Sequence, residues 1–250
     1  MKILLRGIII TIALILIWQS IVTLFNLPPY ILPSPILVLK SFKHHGILVL
    51  EQSIPTAIEA TLGFILSCLL GTLSALILIY FRPMRLWFLP ILLISQALPT
   101  FAIAPLLVIW FGYGMTSKIV TTILMLFFPI TSAFYDGLRH TPQAYLDLAQ
   151  TMNAKKWQTL RRIRIPAALP SLGNGLRVAA TFAPMGAVIG EWVGSGQGLG
   201  FLILNANSRM QIDLMFAALL VLVALTLIFY FAIDILIKTV ISWEIEQHVY

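Results

Sequence analysis

Long apolar runs, separated by short polar segments, dominate the chain. Crossing a bilayer takes roughly 20 mostly apolar residues in helical form. Six runs approach or exceed that length, namely 7–25, 57–80, 86–111, 119–135, 172–193 and 214–241. The pattern predicts an all-α polytopic membrane protein with six transmembrane helices.

The first and third runs have features of their own. Lys2 and Arg6 precede the first run, and no small-x-small cleavage site follows it, so we interpret it as a retained helix rather than a secretory signal. The third run contains Pro90, Pro99 and Pro105. Because proline interrupts helical hydrogen bonding, this element is expected to be kinked or broken and to face protein or a pathway rather than lipid.

Composition agrees with a membrane protein. Hydrophobic residues make up 60% of the 250 residues and charged residues only 10%, against about 45–50% and about 25% in soluble domains. Cys68 is the only cysteine, so no disulfide can form within the chain, and no Cys/His cluster has metal-ligand spacing. We therefore predict neither a metal site nor a catalytic group.

The basic residues are distributed unevenly along the predicted topology. With the N-terminus inside, the outer segments hold four of the 16 Lys and Arg: Lys40, Lys43, Lys118 and Arg209. The cytoplasmic segments hold the other twelve: Lys2, Arg6, Arg82, Arg85, Arg139, Lys155, Lys156, Arg161, Arg162, Arg164, Arg177 and Lys238. This bias predicts a multi-pass protein of the bacterial inner membrane with both termini in the cytoplasm. It also explains the net charge of +7 without a nucleic-acid partner.

Several polar positions have local structural interpretations. Ser34-Pro35 predicts the start of a short interfacial helix that extends to Gly46. Glu59 is expected to pair or snorkel near the outer interface, and Asp234 and Lys238 have the spacing of a helical ion pair. The segment 194–200 is rich in glycine but lacks the Walker pattern, so it predicts a tight outer turn and no ATP site.

The longest polar stretch, 139–164, separates the fourth and fifth runs. Thr141-Pro142 predicts a helix start, and the apolar residues Tyr145, Leu148, Ala149 and Met152 then share one helical face. Asn153 predicts a left-handed turn, because asparagine tolerates that backbone better than other residues with a side chain. A second short helix, 155–164, is expected to end at Pro166.

This stretch resembles the cytoplasmic loop of ABC importer permeases, whose pattern is E-A-A-x3-G-x9-I-x-L-P. The chain has Asp147-Leu148-Ala149, Asn153 and Ile163-Arg164-Ile165-Pro166 at identical spacing. It departs from the pattern at four positions, each of which keeps the physical character of the residue replaced. The flanks are also similar, and the resemblance covers essentially the whole chain.

The resemblance implies a type I ABC importer permease fold in a single transmembrane domain, 1–250, with a coupling loop at 139–166. It implies as partners a cytoplasmic ABC ATPase dimer that hydrolyses ATP, a periplasmic or lipid-anchored substrate-binding protein, a second copy of the chain and the bilayer. The chain itself would bind no cofactor and would not be an enzyme. The residues expected to couple to the ATPase are Asp147, Leu148, Ala149, Asn153, Ile163, Ile165 and Pro166. The alternative is an amphipathic loop that lies on anionic lipid.

Within the family, the chain is most similar to the branch for taurine, sulfonates, nitrate and thiamine precursors. The stretches 128–130, 136–139, 190–194 and 205–211 look most like permeases for hydroxymethylpyrimidine-type thiamine precursors. A sulfonate, taurine or nitrate permease is the alternative. A secondary transporter would tend to show repeated halves, and an intramembrane enzyme would need a paired nucleophile and base or a metal motif; neither is present in the sequence.

The fifth run carries a carboxyl group, Glu191, next to the glycine-rich turn. An ionisable residue at membrane depth indicates a functional site, but capping of the turn is the alternative. The residues predicted to line a substrate pathway near the dimer axis are Glu191, Trp192, Gly186, Gly190, Gln96, Phe101 and Phe182. No Lys or Arg is expected between the interfaces, which favours a neutral or weakly basic heteroaromatic substrate over an anion.

Overall fold

The computed structural model describes the backbone of residues 2–241, and their side chains except those of 2–6, 8, 82, 89, 93 and 96. Helices form almost all of this part of the chain, and it contains no strand. The helices are α1 Lys2–Leu24, α2 Pro35–Tyr80, α3 Arg82–Ala97, α4 Thr100–Phe111, α5 Met115–Arg139, α6 Gln143–Thr151, α7 Lys156–Thr159, α8 Ile165–Trp192, α9 Leu199–Ser208 and α10 Ile212–Val240. A π-helical turn, Leu160–Arg164, joins α7 to α8.

Each of the six predicted apolar runs is helical. Within the described residues, three helices are long and apolar enough to cross a membrane, namely α2, α5 and α10. The chain has shorter apolar helices in α1, α4 and α9. α8 has 28 residues, but four of them are glycines and its interior also holds Asn174 and Arg177, which lower its hydropathy.

The predicted interfacial helix is wrong as a separate element. Its start is confirmed, because the Ser34 hydroxyl accepts from the Leu37 N–H at 3.4 Å and Pro35 opens the helix. The helix does not end at Gly46 but runs through 46 residues to Tyr80. Nothing after Gly46 offers a cap or a left-handed turn, and Pro55 removes only one backbone hydrogen bond from a long helix.

The third run is broken, as its prolines predict. α3 ends at Ala97, and Leu98 has an extended backbone, as expected for a residue that precedes proline. Pro99 then caps α4, whereas Pro90 and Pro105 are accommodated inside α3 and α4.

The second helix of the polar stretch does not end at Pro166, which is a further correction. α7 passes through the π-helical turn directly into α8, and the Ile165 N–H donates to the Leu160 carbonyl five residues earlier. Pro166 follows at once and has no N–H, so the continuous helix lacks one backbone hydrogen bond at this position. The wider π turn lets the helix continue where a regular α-helix would clash with the proline ring.

The core lies where α5 packs against α2 and α8, and small residues make this approach close. Gly63 of α2 lies against the side chain of Thr122, and Gly175 of α8 lies against Ala133. Such contacts are typical of helices that pack in lipid, where close backbone approach replaces the hydrophobic driving force. This arrangement fixes the two ends of the bundle, which carry the residues of interest.

Candidate functional site

The bundle has two chemically distinct ends. α2 and α5 end, and α8 begins, at the end that carries Arg139 and the polar stretch; we call this the basic end. The opposite end carries two loops with glycines at positive φ, 112–114 and 193–198; we call it the glycine end. The predicted coupling residues lie at the basic end, and Glu191 lies at the glycine end.

At the basic end, α6 closes with the predicted left-handed turn. Asn153 has φ +53°, its N–H donates to the Gln150 carbonyl at 2.9 Å, and the Ala154 N–H donates to the Ala149 carbonyl at 2.9 Å. These two hydrogen bonds form a Schellman motif, which satisfies carbonyls at the helix end. The role of Asn153 is therefore to reverse the chain after α6.

The faces of α6 differ from the expectation at one residue. Tyr145, Leu148 and Met152 are exposed and form an apolar stripe, whereas Ala149 is only 3% exposed. Ala149 is covered by the rest of the chain, so a direct contact with a partner would fall to its exposed neighbours on α6, and its role in coupling stays a prediction. Asp147 is exposed beside the stripe and accepts from Gln143 Nε2 at 2.9 Å.

The remaining coupling residues are partly buried. Ile163, Ile165 and Pro166 are half-buried. Ile165 packs against a buried cluster that includes Leu138 and Ala168 and so ties the loop to the bundle. The coupling role of all three residues stays a prediction.

At the glycine end, Glu191 joins three helices. It is 1% exposed, and its two carboxylate oxygens accept from the Thr56 hydroxyl at 2.6 Å and from the Gly200 N–H at 2.5 Å. The Thr56 hydroxyl oxygen also accepts from the Leu199 N–H at 2.9 Å. Residues of α2, α8 and the first turn of α9 are thereby tied together.

The loop before α9 is fixed by the same group of residues. Gln52 Oε1 of α2 accepts from the Gly198 N–H at 2.6 Å. Gly198 has φ +108° and passes directly against the Glu191 carboxyl, where a side chain would not fit. We call Gln52, Thr56, Glu191 and the backbone of 198–200 the Glu191 network.

A buried ion pair lies beside this network. Lys118 Nζ is 2.8 Å from Glu59 Oε1, and the two residues are 4% and 0% exposed. The expected pairing of Glu59 is confirmed. Lys118 lies in the first turn of α5, at the glycine end, and its predicted place in an outer segment, with no Lys or Arg between the interfaces, stays a prediction. Lys118 lies inside the α2–α5 contact, and Glu59 neutralises it. The signal in the sequence was Glu59 itself, since a carboxyl in an apolar helix needs a partner.

The predicted pathway residues of α8 lie on different faces of that helix. Gly186 and Gly190 face α5 of the same chain, against Thr122 and Lys118, so they pack within the protomer, and their place in a pathway at the dimer axis stays a prediction. Trp192, Phe182 and Phe101 are exposed. The side chain of Gln96 lies outside the described residues.

The exposed face of α8 has members that sequence reasoning missed. The exposed apolar side chains of this helix are those of Val178, Phe182, Met185 and Trp192. Their spacing of three, four and seven residues puts them on one side of the helix, about a quarter turn from the face that carries Gly186 and Gly190. We call these four residues the α8 stripe. Their helical spacing is a signal in the sequence, but the G-x3-G pair of the same helix favoured the glycine face as its functional side.

Replacing Gly190 with alanine is expected to destabilise the contact between α5 and α8. A Cβ at this position would lie 2.8 Å from the Cα of Lys118, a backbone atom that cannot rotate away. We expect a loss of about 2 kcal/mol, as for overpacked cores, measured as a lower midpoint of thermal unfolding in detergent. Gly46→Ala is the control, because its Cβ would meet only Phe42 at 3.7 Å; equal stability of the two variants would refute this packing.

The model of the family described as "Binding-protein-dependent transport system inner membrane component" matches residues 67–242. A "Probable ABC transporter permease protein" of Haemophilus influenzae is 52% identical over 97% of this chain and 98% of its own length.

Two further relatives have more specific names. The "Formylaminopyrimidine transport permease protein ThiX" of Halalkalibacterium halodurans is 35% identical over 94% of both chains. The "Riboflavin transport system permease protein RibX" of Chloroflexus aurantiacus is 36% identical over 95% of this chain and 90% of its own length.

A solved structure shows the same fold. A chain in inward-facing structures of the MetNI methionine ABC transporter superposes with a TM-score of 0.62 at 22% identity, covering 77% of this chain and 94% of the other. The all-α type I permease fold expected from the resemblance is confirmed.

Proposed function

Because the chain belongs to the family of binding-protein-dependent transport system inner membrane components, we propose that it imports a neutral nitrogen heteroaromatic, best exemplified by a thiamine-precursor pyrimidine. The chain is the permease subunit of an ABC importer, a multi-pass inner-membrane protein and not an enzyme. ATP is hydrolysed in this family by a partner ATPase. The alternatives of a secondary transporter and an intramembrane enzyme are discarded with this assignment.

The proposed substrate class rests on the similarity of the chain to the two relatives named for formylaminopyrimidine and riboflavin. Both names denote nitrogen heteroaromatic compounds. Electrostatics supports the same class, since Lys118 is neutralised by Glu59 and Arg177 is paired with Asp234 at 2.8 Å. A sulfonate, taurine or nitrate, the alternative cargo, would favour an available cation or exposed helix N-termini along its path.

We place the translocation route along the α8 stripe, between two copies of the chain. Phe182 and Trp192 present aromatic faces there, and an aromatic heterocycle can stack on them. Phe101 is exposed at the start of α4 and is proposed to contribute from the side. That Glu191 lines this route stays a prediction, and its two hydrogen bonds within the protomer favour the anchoring role.

The basic end is proposed to lie in the cytoplasm together with both termini, and the glycine end to face the substrate-binding protein. The single domain 1–250 then presents the coupling loop 139–166 to the ATPase dimer. Tyr145, Leu148 and Met152 form the docking stripe, with Asp147 at its rim. An apolar centre with a charged rim is the usual composition of a protein interface.

The function is tested with the permease reconstituted in proteoliposomes together with its ATPase and binding protein. Substrate-stimulated ATP hydrolysis and uptake are measured with hydroxymethylpyrimidine, formylaminopyrimidine, riboflavin and taurine. We expect stimulation by at least one heteroaromatic compound and none by taurine. Stimulation by taurine alone would overturn the substrate class, whereas ATP hydrolysis coupled to any of the four would still support the importer assignment.

Replacing Leu148 with glutamate is expected to uncouple the permease. The new charge would be buried at the centre of the docking stripe, so we expect at least a tenfold fall in ATPase binding, roughly the cost of one unpaired buried polar group. Gln150→Glu is the control, because it adds the same charge at an exposed position on the side of α6 opposite Leu148. Binding is measured by co-purification and titration in detergent; identical behaviour of the two variants would refute the stripe as the docking surface.

A further inference from the structure

A cavity of about 630 Å³ lies at the basic end, behind the proposed docking stripe. The end of α2, the start of α3, the end of α5 and the coupling loop enclose it. Most of its lining residues have polar side chains, among them Arg85, Tyr135, Arg139, Lys156 and Arg164. It is therefore a polar chamber between membrane helices and loop, and the proposed importer function does not use it.

The charge of this chamber is one-sided. Four cations line it, Arg85, Arg139, Lys156 and Arg164, and no acidic side chain of the described residues does. The nearby Asp147 makes its hydrogen bond to Gln143 on α6. Four like charges around one cavity repel each other, so the arrangement favours an anion. A topological charge bias explains why cations lie at this end, but not why they surround a chamber.

A buried tyrosine of the chamber wall, Tyr135, also indicates a ligand. The residue is buried, it lines the chamber, and its hydroxyl has no hydrogen-bond partner within the described part of the chain. The guanidinium of Arg85 lies over its ring, 5.9 Å from the centroid. A buried hydroxyl without a partner carries a free-energy cost. Because this oxygen is itself covered, an oxyanion in the chamber would accept from it once the neighbouring side chains shift to uncover it.

We propose that this chamber binds a phosphate oxyanion, either as the headgroup of an anionic lipid or as a soluble phosphorylated compound. Arginine guanidinium groups match phosphate geometry through paired N–H donors, and lysine adds a compact positive charge. Three arginines, a lysine and a tyrosine hydroxyl together carry enough donors for the several acceptor oxygens of one phosphate group.

The surroundings of the chamber favour the lipid as the source. Phe81, Leu86 and Trp87, which flank Arg85 in sequence, are exposed apolar side chains at the same end of the bundle. Acyl chains can lie against such a surface while the headgroup enters the basic chamber, an arrangement known for basic pockets between membrane helices. A bound phosphate would connect Arg139 of α5 with Lys156 and Arg164 of the loop and so hold the loop against the bundle.

The test uses the full chain purified in detergent. Native mass spectrometry and thermal unfolding are recorded with dioleoylphosphatidylglycerol, with dioleoylphosphatidylcholine, and with inorganic pyrophosphate. The test variant is the double substitution Arg139→Gln and Arg164→Gln. The matched control is Arg161→Gln with Arg162→Gln, which removes the same charge from exposed positions of the same π-helical turn that do not line the chamber.

We expect the wild type and the control to bind the phosphatidylglycerol alike, and the double variant to bind it at least about tenfold more weakly, since two charge-assisted hydrogen-bonding groups are lost. Tyr135→Phe, which preserves shape, is expected to weaken binding about threefold and covers the case in which the double variant does not fold. Binding of lipid without pyrophosphate identifies a headgroup; binding of pyrophosphate with the same sensitivity to the variants identifies a soluble phosphate.

Three outcomes would overturn the proposal. If the test and control variants lose the same amount of lipid affinity, the binding depends on the overall positive charge and not on the chamber. Binding that none of the variants changes would place the anion elsewhere. If adding the ATPase covers these four cations and no phosphate compound binds to them, the chamber is a protein interface and not a phosphate site.

Discussion

Replacing Lys118 with methionine is expected to destabilise the folded permease by about 3–5 kcal/mol, the cost of breaking a buried ion pair by removing one partner. Glu59 is 0% exposed, and its carboxylate would lose the ammonium group that now lies 2.8 Å from one of its oxygens. Its other oxygen, Oε2, is already buried without a partner in the described part of the chain. Among the described residues that line the adjoining cavity, Lys118 is the only cation, so no other can take its place.

The measurement is the midpoint of thermal unfolding in detergent, together with the yield of monodisperse protein. Adding Glu59→Gln to Lys118→Met should recover most of the loss, because the orphaned charge is then removed as well. Lys40→Met, at an exposed lysine of α2, is the control and should change little. A single Lys118→Met variant as stable as this control would refute the buried pair.

Features that depend on a few neighbouring residues could be predicted from the sequence. The six apolar runs follow from composition over about 20 residues. The left-handed turn at Asn153 follows from one residue type after an amphipathic stretch. The break in the third run follows from Pro99 and the backbone preference of the residue before it. In each case the physical cause lies within one or two helical turns.

Features that depend on distant parts of the chain could not be predicted. Lys118 looked like a loop residue because its partner, Glu59, lies 59 residues away in sequence. Ala149 sits on the apolar side of α6, but the sequence does not say which part of that side meets the bundle. The continuation of α7 through Pro166 requires a π-helical turn, and a turn of this type has no sequence signature as strong as proline's.

The role of Glu191, at the glycine end, could not be decided from the sequence. A residue that lines a pathway and a residue that caps a turn can both be a carboxyl group beside a glycine-rich segment. The structure places α9, a helix that the apolar pattern did not predict, directly against it. The first turn of α9 has N–H groups that no helical carbonyl can satisfy, and the Glu191 network supplies acceptors for those of Leu199 and Gly200.

Replacing Glu191 with alanine is expected to be the second severe change. It leaves the Gly200 N–H buried without an acceptor and removes the acceptor of the Thr56 hydroxyl, so α9 loses its link to α8. We expect a loss on the order of 3 kcal/mol from these unsatisfied groups. Glu51→Ala, at an exposed carboxyl of α2, is the control and should be neutral.

Glu191→Gln separates charge from hydrogen bonding. Its amide oxygen can accept from the Gly200 N–H, and its amide N–H₂ can donate to the Thr56 hydroxyl oxygen, so we expect at most about 1 kcal/mol of destabilisation. If Glu191 anchors α9, substrate uptake by the reconstituted glutamine variant should follow its stability and stay near the wild-type rate, whereas the alanine variant should lose both. If the charge instead acts on the passing substrate, uptake by the glutamine variant should fall several-fold while its unfolding midpoint matches that of the wild type, and the anchoring role alone would then be insufficient.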